Sequence, residues 1–159
     1  MLFSYLSLSA QVDWYNRGII ISGGQDLEIY LSGNYIDESQ RDAVFLSLGD
    51  LFITGDIENN GITTIFGSNI SLTEAQADSL NFAVNFTGTA NQSIKGQRNT
   101  TIDAAVLNKT AGRLTLEQDL IINTTLTLTN GILDVGDRVL TLEGKFIGAS
   151  TSEPKLLFG

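Results

Sequence analysis

Short segments in which apolar and polar residues alternate recur along the whole chain, and β-branched and aromatic residues are frequent in them. Alternation with a period of two sends successive side chains to opposite faces of a β-strand. Gly, Asn and Asp separate these segments, as in Asn59-Asn60-Gly61 and Asn130-Gly131, and such residues accept the backbone angles of tight corners. The pattern predicts an all-β protein with strands near residues 27–31, 43–48, 51–54, 114–116, 120–122, 126–128 and 140–142.

The spacing of the strands predicts how they are arranged. Leu-Thr-Leu occurs at 114–116, 126–128 and 140–142, and further short apolar segments at 120–122, 131–133 and 145–147 alternate with these triplets. A strand every six to eight residues leaves too little chain for ordinary hairpins. It suits the faces of a β-solenoid, whose coils stack in parallel about 4.8 Å apart. An antiparallel sandwich, with turns about every 8–12 residues, is the alternative.

We therefore predict a parallel β-helix or a related β-solenoid for residues 11–159, as a single domain with about 20 residues in each coil. Inward Leu, Ile, Val and Phe would stack as apolar ladders along the axis. Asn at the corners would hydrogen-bond to Asn in the neighbouring coils.

Residues 71–80 depart from this pattern. The sequence Ser71-x-x-Glu74 has the form of a capping box, which predicts the start of a helix. Leu72, Ala75 and Leu80 are too few to form a long apolar stripe, so two or three turns are the most that this segment supports. We expect a short helix or loop leaving the β body near residues 71–80, with an ordinary strand carrying a polar insertion as the alternative.

The first ten residues have the length and hydrophobicity of the apolar part of a secretory signal, and Ala10 suits the last position before a cleavage site. No Lys or Arg precedes the apolar segment. We predict that residues 1–10 are the remnant of a signal peptide, with an opening core strand as the alternative. No segment reaches the roughly 18 consecutive apolar residues of a membrane-spanning helix.

Composition excludes several classes of function. The chain has 159 residues, no Cys, no His and a formal charge of −9. Thiolate nucleophiles, zinc clusters and histidine general bases are therefore excluded. The negative charge repels phosphate backbones, which argues against a nucleic-acid partner.

Two stretches resemble a family of bacterial surface proteins. In residues 51–61, Gly55-Asp56 separates two strands and Asn59-Asn60-Gly61 follows them. Residues 85–144 continue the resemblance through the segments 85–96 and 107–110, the Leu-Thr-Leu triplets and Asn130-Gly131. These features resemble the β-helical repeat region of large secreted, adhesin-like proteins exported by type IX secretion. The resemblance implies an extracellular, cell-surface rod that is a fragment of a longer chain. Residues 67–82 depart from the pattern of that family, which leaves the coil count there open.

Some parallel β-helix proteins cleave polysaccharides, so charged residues are the candidates for catalysis. Two cooperating carboxylates would have to face one cleft. Turn chemistry accounts for each acidic candidate, and the basic candidates are scattered around turns rather than placed beside an acidic cluster. No calcium-binding array of Asp residues is present either. We predict no catalytic, cofactor-binding or metal-binding residue among the candidates, which are Asp50, Asp56, Glu58, Asp134, Asp137, Lys95, Arg98, Lys109 and Arg113.

Two further features bear on partners. Trp14 and Tyr15, next to Arg17, form a compact aromatic group that either caps the open end of the solenoid core, the interpretation we favour, or stacks on a sugar. The strands at 145–148 and 156–159 predict an open C-terminal end and end-to-end self-association. We interpret the Asn-x-Ser/Thr triplets as turns with outward Thr side chains; they begin at Asn69, Asn85, Asn91, Asn99, Asn108 and Asn123.

The sequence thus predicts a non-enzymatic extracellular rod or adhesin-like segment that meets an unidentified surface or carbohydrate ligand. A fragment of a β-helical polysaccharide lyase or glycoside hydrolase is the alternative. A groove in which two carboxylates, or a carboxylate and a basic residue, converge would distinguish the two.

Overall fold

The computed structural model describes residues 13–17, 19–21, 28–38, 43–46, 49–61, 64–67, 82–148 and 155–158. The predicted signal remnant at 1–10 and the predicted excursion at 71–80 lie outside these residues. All regular secondary structure in the described residues is β. The strands are β1 (Trp14–Asn16), β2 (Ile19–Ile21), β3 (Ile29–Leu31), β4 (Tyr35–Asp37), β5 (Ala43–Leu46), β6 (Leu51–Ile53), β7 (Ile57–Asn59), β8 (Thr64–Gly67), β9 (Ala83–Phe86), β10 (Gln92–Gly96), β11 (Thr100–Leu116), β12 (Leu120–Gly136), β13 (Leu140–Leu142), β14 (Lys145–Gly148) and β15 (Lys155–Phe158).

The strands form three faces, and every strand pair is parallel. The first face contains β1, β4, β7, β10, the ends of β11 and β12, and β15. The second contains β2, β5, β8, the starts of β11 and β12, and β13. The third contains β3, β6, β9, the middles of β11 and β12, and β14. Five pairings join the strands of the second face, and five join those of the third, so the chain makes about five turns. The predicted β-solenoid is confirmed.

We number the coils by their passage over the three faces. Coils 1, 2 and 3 contain β1–β3, β4–β6 and β7–β9. Coil 4 contains β10 and the first two segments of β11, residues 100–102 on the second face and residues 104–107 on the third. Coil 5 begins with the last segment of β11, and coil 6 begins with the last segment of β12. The Leu-Thr-Leu triplets fall on the first, third and second faces in turn, because each interval between them spans two faces.

Apolar ladders fill the interior, as predicted. Leu51, Val84, Ala105 and Leu126 occupy equivalent positions in successive coils and are buried. In β4, β6 and β7 the first and third residues are buried and the second is partly exposed, so these coils place their apolar side chains against those of the next. The other buried members of the core on the third face are Leu31, Ile53, Phe86, Leu107 and Leu128, and those on the first face include Tyr35, Ile57, Ile94, Leu116 and Val135.

One corner confirms the predicted stacking of Asn side chains. Asn130 Nδ2 donates a hydrogen bond of 2.9 Å to Asn108 Oδ1 in the preceding coil. At another corner Asn123 Nδ2 donates to Asp103 Oδ1, also at 2.9 Å. These bonds join successive coils outside the backbone ladder.

Candidate functional site

The acidic residues at the corners act as acceptors between coils. Asp50 Oδ1 accepts a hydrogen bond of 3.0 Å from the backbone N–H of Ala83, and Asp56 Oδ1 accepts one of 2.8 Å from Ser93. In both cases the acceptor side chain precedes or begins a strand, and the donor is the equivalent residue one coil later. A backbone N–H that lies just outside the strand ladder is satisfied in this way. Asp50 and Asp56 therefore have structural roles at corners, as predicted, although their bonds extend to the next coil.

Asp56 and Glu58 converge on Lys95, which lies one coil later and pairs in register with Glu58. Lys95 Nζ is 2.7 Å from Asp56 Oδ2 and 4.0 Å from Glu58 Oε2. The two carboxylate oxygens are therefore at most about 7 Å apart, a separation that glycoside hydrolases also use. This group, Asp56, Glu58 and Lys95, is hereafter the outer charged cluster, and it is the strongest candidate site on the described surface.

Electrostatics in the outer charged cluster hold the lysine in its charged form. The hydrogen bond to Asp56 raises the pKa of Lys95, and the charges of Asp56, Glu58 and Glu117 act in the same direction against a smaller effect of burial. The ammonium group occupies the space between the two carboxylates, where a glycosidase would place the reacting sugar. As built, the cluster ties coil 3 to coil 4 by an ion pair.

The expectation that the basic candidates do not lie beside an acidic cluster is wrong at Lys95, and Arg113 pairs with a single carboxylate. Lys95 forms an ion pair with Asp56, and Arg113 forms one with Asp134 in the next coil, with Nη1 3.0 Å from Oδ2. The physical reason is that stacking places the equivalent residues of successive coils side by side, although 21 positions separate Arg113 from Asp134 and 39 separate Lys95 from Asp56. Of the other candidates, Arg98 is exposed, and Asp137 lies 3.5 Å from the neighbouring Arg138.

Lys109 has a role that the sequence did not reveal. Its side chain is only 1% exposed, inside the corner between the third and first faces. Lys109 Nζ donates to the carbonyl oxygen of Thr87 at 3.1 Å and to Gln92 Oε1. Gln92 Nε2 in turn donates to the carbonyl oxygens of Ile53 and Gly55 at 3.1 and 2.7 Å. Burial lowers the pKa of Lys109. The network joins three coils through their interior, so Lys109 is a structural group and is not available to a ligand at the surface.

A second set of buried polar residues lines the opposite corner. Asn16, Asp37 and Asn59 end the first-face strands of coils 1 to 3, lie in register and are almost completely buried. Asn16 Nδ2 donates to the Tyr35 hydroxyl at 2.6 Å, and Asn59 Nδ2 donates to the carbonyl oxygen of Asn99 at 2.8 Å. The recurrence of Asn or Asp at the end of these strands, at intervals of 21 and 22 residues, is the signal that could have revealed the column.

The aromatic residues separate into inward and outward groups. Trp14 packs against the core at the first coil, as a capping residue does, whereas Tyr15 is exposed. The sequence did not identify the pair Tyr30 and Phe52, whose rings stack with centroids 4.8 Å apart at 13°. Their ring faces lie against each other, because the two residues pair in register on the outside of the third face. The stack therefore leaves less ring surface for a sugar.

Three of the described Asn-x-Ser/Thr triplets begin at corners, but the interpretation as a turn is wrong at Asn85, which lies buried within β9, and Ser93 of the Asn91 triplet is also buried. Asn91 Oδ1 accepts from the backbone N–H of Arg113 at 3.2 Å, and Asn108 and Asn123 form the bonds described above. Asn69 lies outside the described residues.

No group of three or more His, Cys, Asp or Glu side chains in the described residues is arranged to hold a metal ion. Within the same part of the chain, no helix has the length and hydrophobicity needed to cross a membrane.

Comparison with protein-family models, with curated proteins and with solved structures finds no match to this chain.

Proposed function

We propose that this chain is a non-enzymatic structural rod, an adhesin-like segment of a secreted bacterial surface protein of the type IX kind. The observation that carries the proposal is the stacking of parallel coils on three faces, from β1 to β15. In a solenoid each coil contacts its neighbours only, so the fold grows in length by adding coils and serves as a spacer or display surface. Five turns at about 4.8 Å extend the rod by about 24 Å.

Ion pairs between adjacent coils, on or beside the outside of the first face, support the same proposal. Arg17 Nη2 lies 3.1 Å from Glu38 Oε2, and Lys95 and Arg113 pair with acidic residues in adjacent coils. Each of these three cations therefore connects one coil to the next. The remaining excess of negative charge keeps such a rod soluble.

The alternative is a fragment of a β-helical polysaccharide lyase or glycoside hydrolase. The specific observation in its favour is the outer charged cluster, where two carboxylates and one basic residue converge on an outer surface. The ion pair at 2.7 Å weighs against it, because the lysine fills the space that a substrate would need.

An assay of polysaccharide cleavage distinguishes the structural rod from the polysaccharide-cleaving enzyme. The purified chain is incubated with a panel of acidic and neutral polysaccharides, and new reducing ends and unsaturated uronic acids are measured. We expect no release above a heat-denatured control. Release by the unchanged chain that disappears in the double variant Asp56→Asn, Glu58→Gln would overturn the rod proposal and establish the alternative.

Secretion is a separate part of the proposal, and it rests on residues 1–10 and on the family resemblance. If these residues end a signal peptide, the extracellular form of the protein begins at Gln11. Mass spectrometry of the protein recovered outside cells that express the complete gene would measure this terminus. A form that retains residues 1–10 would contradict the proposed cleavage.

We further propose that the rod meets a surface or carbohydrate ligand and associates end to end. A glycan array tests the first partner, with binding to any glycan class as the supporting result and no binding as the contradicting one.

A further inference from the structure

Two Asn-Gly dipeptides lie at corners of the solenoid, Asn60-Gly61 and Asn130-Gly131. An asparagine before a glycine deamidates when the glycine nitrogen attacks the side-chain carbonyl carbon, because the glycine has no side chain to hinder the approach. The reaction needs a backbone that can turn toward the asparagine side chain and a glycine N–H that can lose its proton. The two corners differ in both respects.

Hydrogen bonds hold the backbone on both sides of Asn60. Its own N–H donates to the carbonyl oxygen of Asp37 at 2.9 Å, and the N–H of Gly61 donates to Asn59 Oδ1 at 3.2 Å. Asn60 Nδ2, the group that would leave, donates to the carboxylate of Glu58 at 2.6 Å. Attack by the Gly61 nitrogen therefore requires that its bond to Asn59 break first.

The charge beside Gly61 also opposes the reaction. Gly61 is buried, and a Cβ built on it would lie 2.5 to 2.7 Å from the carboxylate atoms of Asp37, so this carboxylate packs directly against the glycine. A neighbouring carboxylate raises the free-energy cost of a negative charge on the Gly61 nitrogen. We therefore expect the fold to protect Asn60.

The other dipeptide lies where the strand pairing is irregular. Asn130 pairs with Asn108 and Ile132 pairs with Arg113, so the register between β11 and β12 shifts at Gly131. Gly131 has φ of +100°, in the left-handed region that glycine adopts readily. Both Asn130 and Gly131 are partly exposed. This corner therefore has more freedom to turn than the corner at Gly61.

The surroundings of Asn130-Gly131 favour the reaction in two further ways. The three atoms nearest to a Cβ built on Gly131, the closest at 3.0 Å, all belong to Lys109, which is a basic residue and not a carboxylate. Asn130 Nδ2 donates to Asn108 Oδ1 at 2.9 Å, a bond between two neutral amides. Such a bond is weaker than the bond of Asn60 to a carboxylate, so less is lost when the amide nitrogen leaves.

We propose that Asn130 is a deamidation site and that the fold directs the reaction to Asn130 and away from Asn60. The Gly131 nitrogen forms a bond to Asn130 Cγ and gives up its proton, while the Cγ–Nδ2 bond breaks and the side-chain nitrogen leaves as ammonia. The resulting succinimide takes up one water molecule, which attacks either of its two carbonyl carbons and gives aspartate or isoaspartate. This chemistry is independent of the rod function proposed above.

Deamidation would change the corner between coils 5 and 6. A carboxylate at position 130 only accepts hydrogen bonds, so its bond to Asn108 survives only if the Asn108 amide rotates and donates. In isoaspartate the backbone runs through the side-chain carbon, which displaces the residues that follow from their partners; Ile132, for example, pairs with Lys155. We therefore expect the isoaspartate form to unfold at lower urea concentration than the variant Asn130→Asp, which reproduces the aspartate product.

Peptide mapping of the full chain by mass spectrometry measures the reaction. The folded chain is incubated for several weeks at mildly alkaline pH and digested, and the conversion of amide to acid at each dipeptide is quantified. We expect a rate at Asn130 at least about tenfold above that at Asn60, the factor that one net hydrogen bond contributes. Asn130→Ala should remove the product at this position and leave the rate at Asn60 unchanged.

The same chain unfolded in guanidinium chloride is the matched control. Both dipeptides are Asn-Gly, so their rates should become similar once the fold is lost. A rate at Asn60 equal to or above that at Asn130 in the folded chain would overturn the proposal. So would an intact Asn130 in the folded chain over a period in which the unfolded chain reacts. An equally large difference between the two rates in the unfolded chain would show that the fold does not select the site.

Discussion

Coils 1–3 and coils 4–6 share one geometry but differ in the length of their strands. In coils 1 and 2 all but one of the strands have only three residues. In the later coils β11 and β12 run for 17 residues each, pass around two corners and pair with each other along most of that length. In both halves a backbone N–H group donates to a side-chain oxygen of the preceding coil, at Asp13, Asn34, Asp50 and Asp56 in the early coils and at Asn91 and Asp119 in the later ones.

The difference in strand length is clear at the corner between the second and third faces. β2 ends at Ile21 and β3 begins at Ile29, so seven residues separate the two faces in coil 1. In coil 4 the paired segments of these faces end at Ile102 and resume at Ala104. A short corner lets one strand continue across two faces, whereas a long corner divides the chain into separate strands. The comparison teaches that parallel stacking tolerates both kinds of connection.

A methyl group at the boundary between the two halves should have the largest effect. Gly96 ends β10 with φ of +128°, and a Cβ there would lie 2.1 Å from the carbonyl oxygen of Asn59. We expect Gly96→Ala to destabilise the fold by more than about 3 kcal/mol or to prevent folding, because backbone blocks the added atom. Urea unfolding measures this.

Gly136 is the matched control, since its φ is +56° and a Cβ there would meet nothing within 4 Å. Gly136→Ala should cost only about 1–2 kcal/mol for the left-handed backbone. Equal losses in the two variants would show that the close approach at Gly96 does not constrain the stacking.

Deleting an apolar group in the later coils should rank second. Leu126 is buried in the ladder between Ala105 and Phe146. Leu126→Ala should cost about 2–5 kcal/mol, because it removes buried apolar surface and leaves a cavity. Thr127→Ala, on the outward side of the same strand, should cost less than about 0.5 kcal/mol. A small loss in Leu126→Ala would mean that the backbone ladder alone holds these coils.

Removing a side-chain acceptor in the early coils should rank third. Asp50→Ala leaves the N–H of Ala83 without its acceptor and should cost about 1–3 kcal/mol. Asp50→Asn keeps an acceptor oxygen and should lose less. If the two variants lose the same stability, the charge at Asp50 matters and the hydrogen bond does not.

Raising the pH into the alkaline range should change the free energy of unfolding in opposite directions through one group in each half, Tyr35 and Lys109. Burial raises the pKa of Tyr35 in coil 2, while the hydrogen bond from Asn16 opposes this and the charge of Asp37 adds to it. The folded state then keeps a proton that the unfolded state loses above about pH 10, so stability falls there by up to about 1.4 kcal/mol per pH unit. Burial lowers the pKa of Lys109 in coil 4. The unfolded state binds the extra proton in this case, so stability rises as pH approaches the ordinary lysine value of 10.5.

Urea unfolding from pH 8 to 11 separates the two contributions. Tyr35→Phe should remove part of the fall above pH 10, and Lys109→Met should remove the rise below it. An unchanged pH profile in both variants would contradict the assignment of these groups.

The alternation of apolar and polar residues determined the strands, and their short spacing determined the solenoid. Both follow from local geometry, because a period of two defines an inward and an outward side whatever the strand later contacts. The inward ladders and the Asn108–Asn130 contact were predictable for the same reason.

Only the tertiary structure decided which charged residues meet. Lys95 contacts Asp56, 39 positions earlier, because β7 and β10 pair in register across the segment that separates β8 from β9. Lys109 also points into the interior because the pairing register between β11 and β12 shifts at the corner between Leu107 and Arg113. A shift of one residue moves a side chain from the outer side of a strand to its inner side. A solenoid's register depends on the lengths of its corners, and corner conformation is not encoded by the two-residue period that predicts the strands.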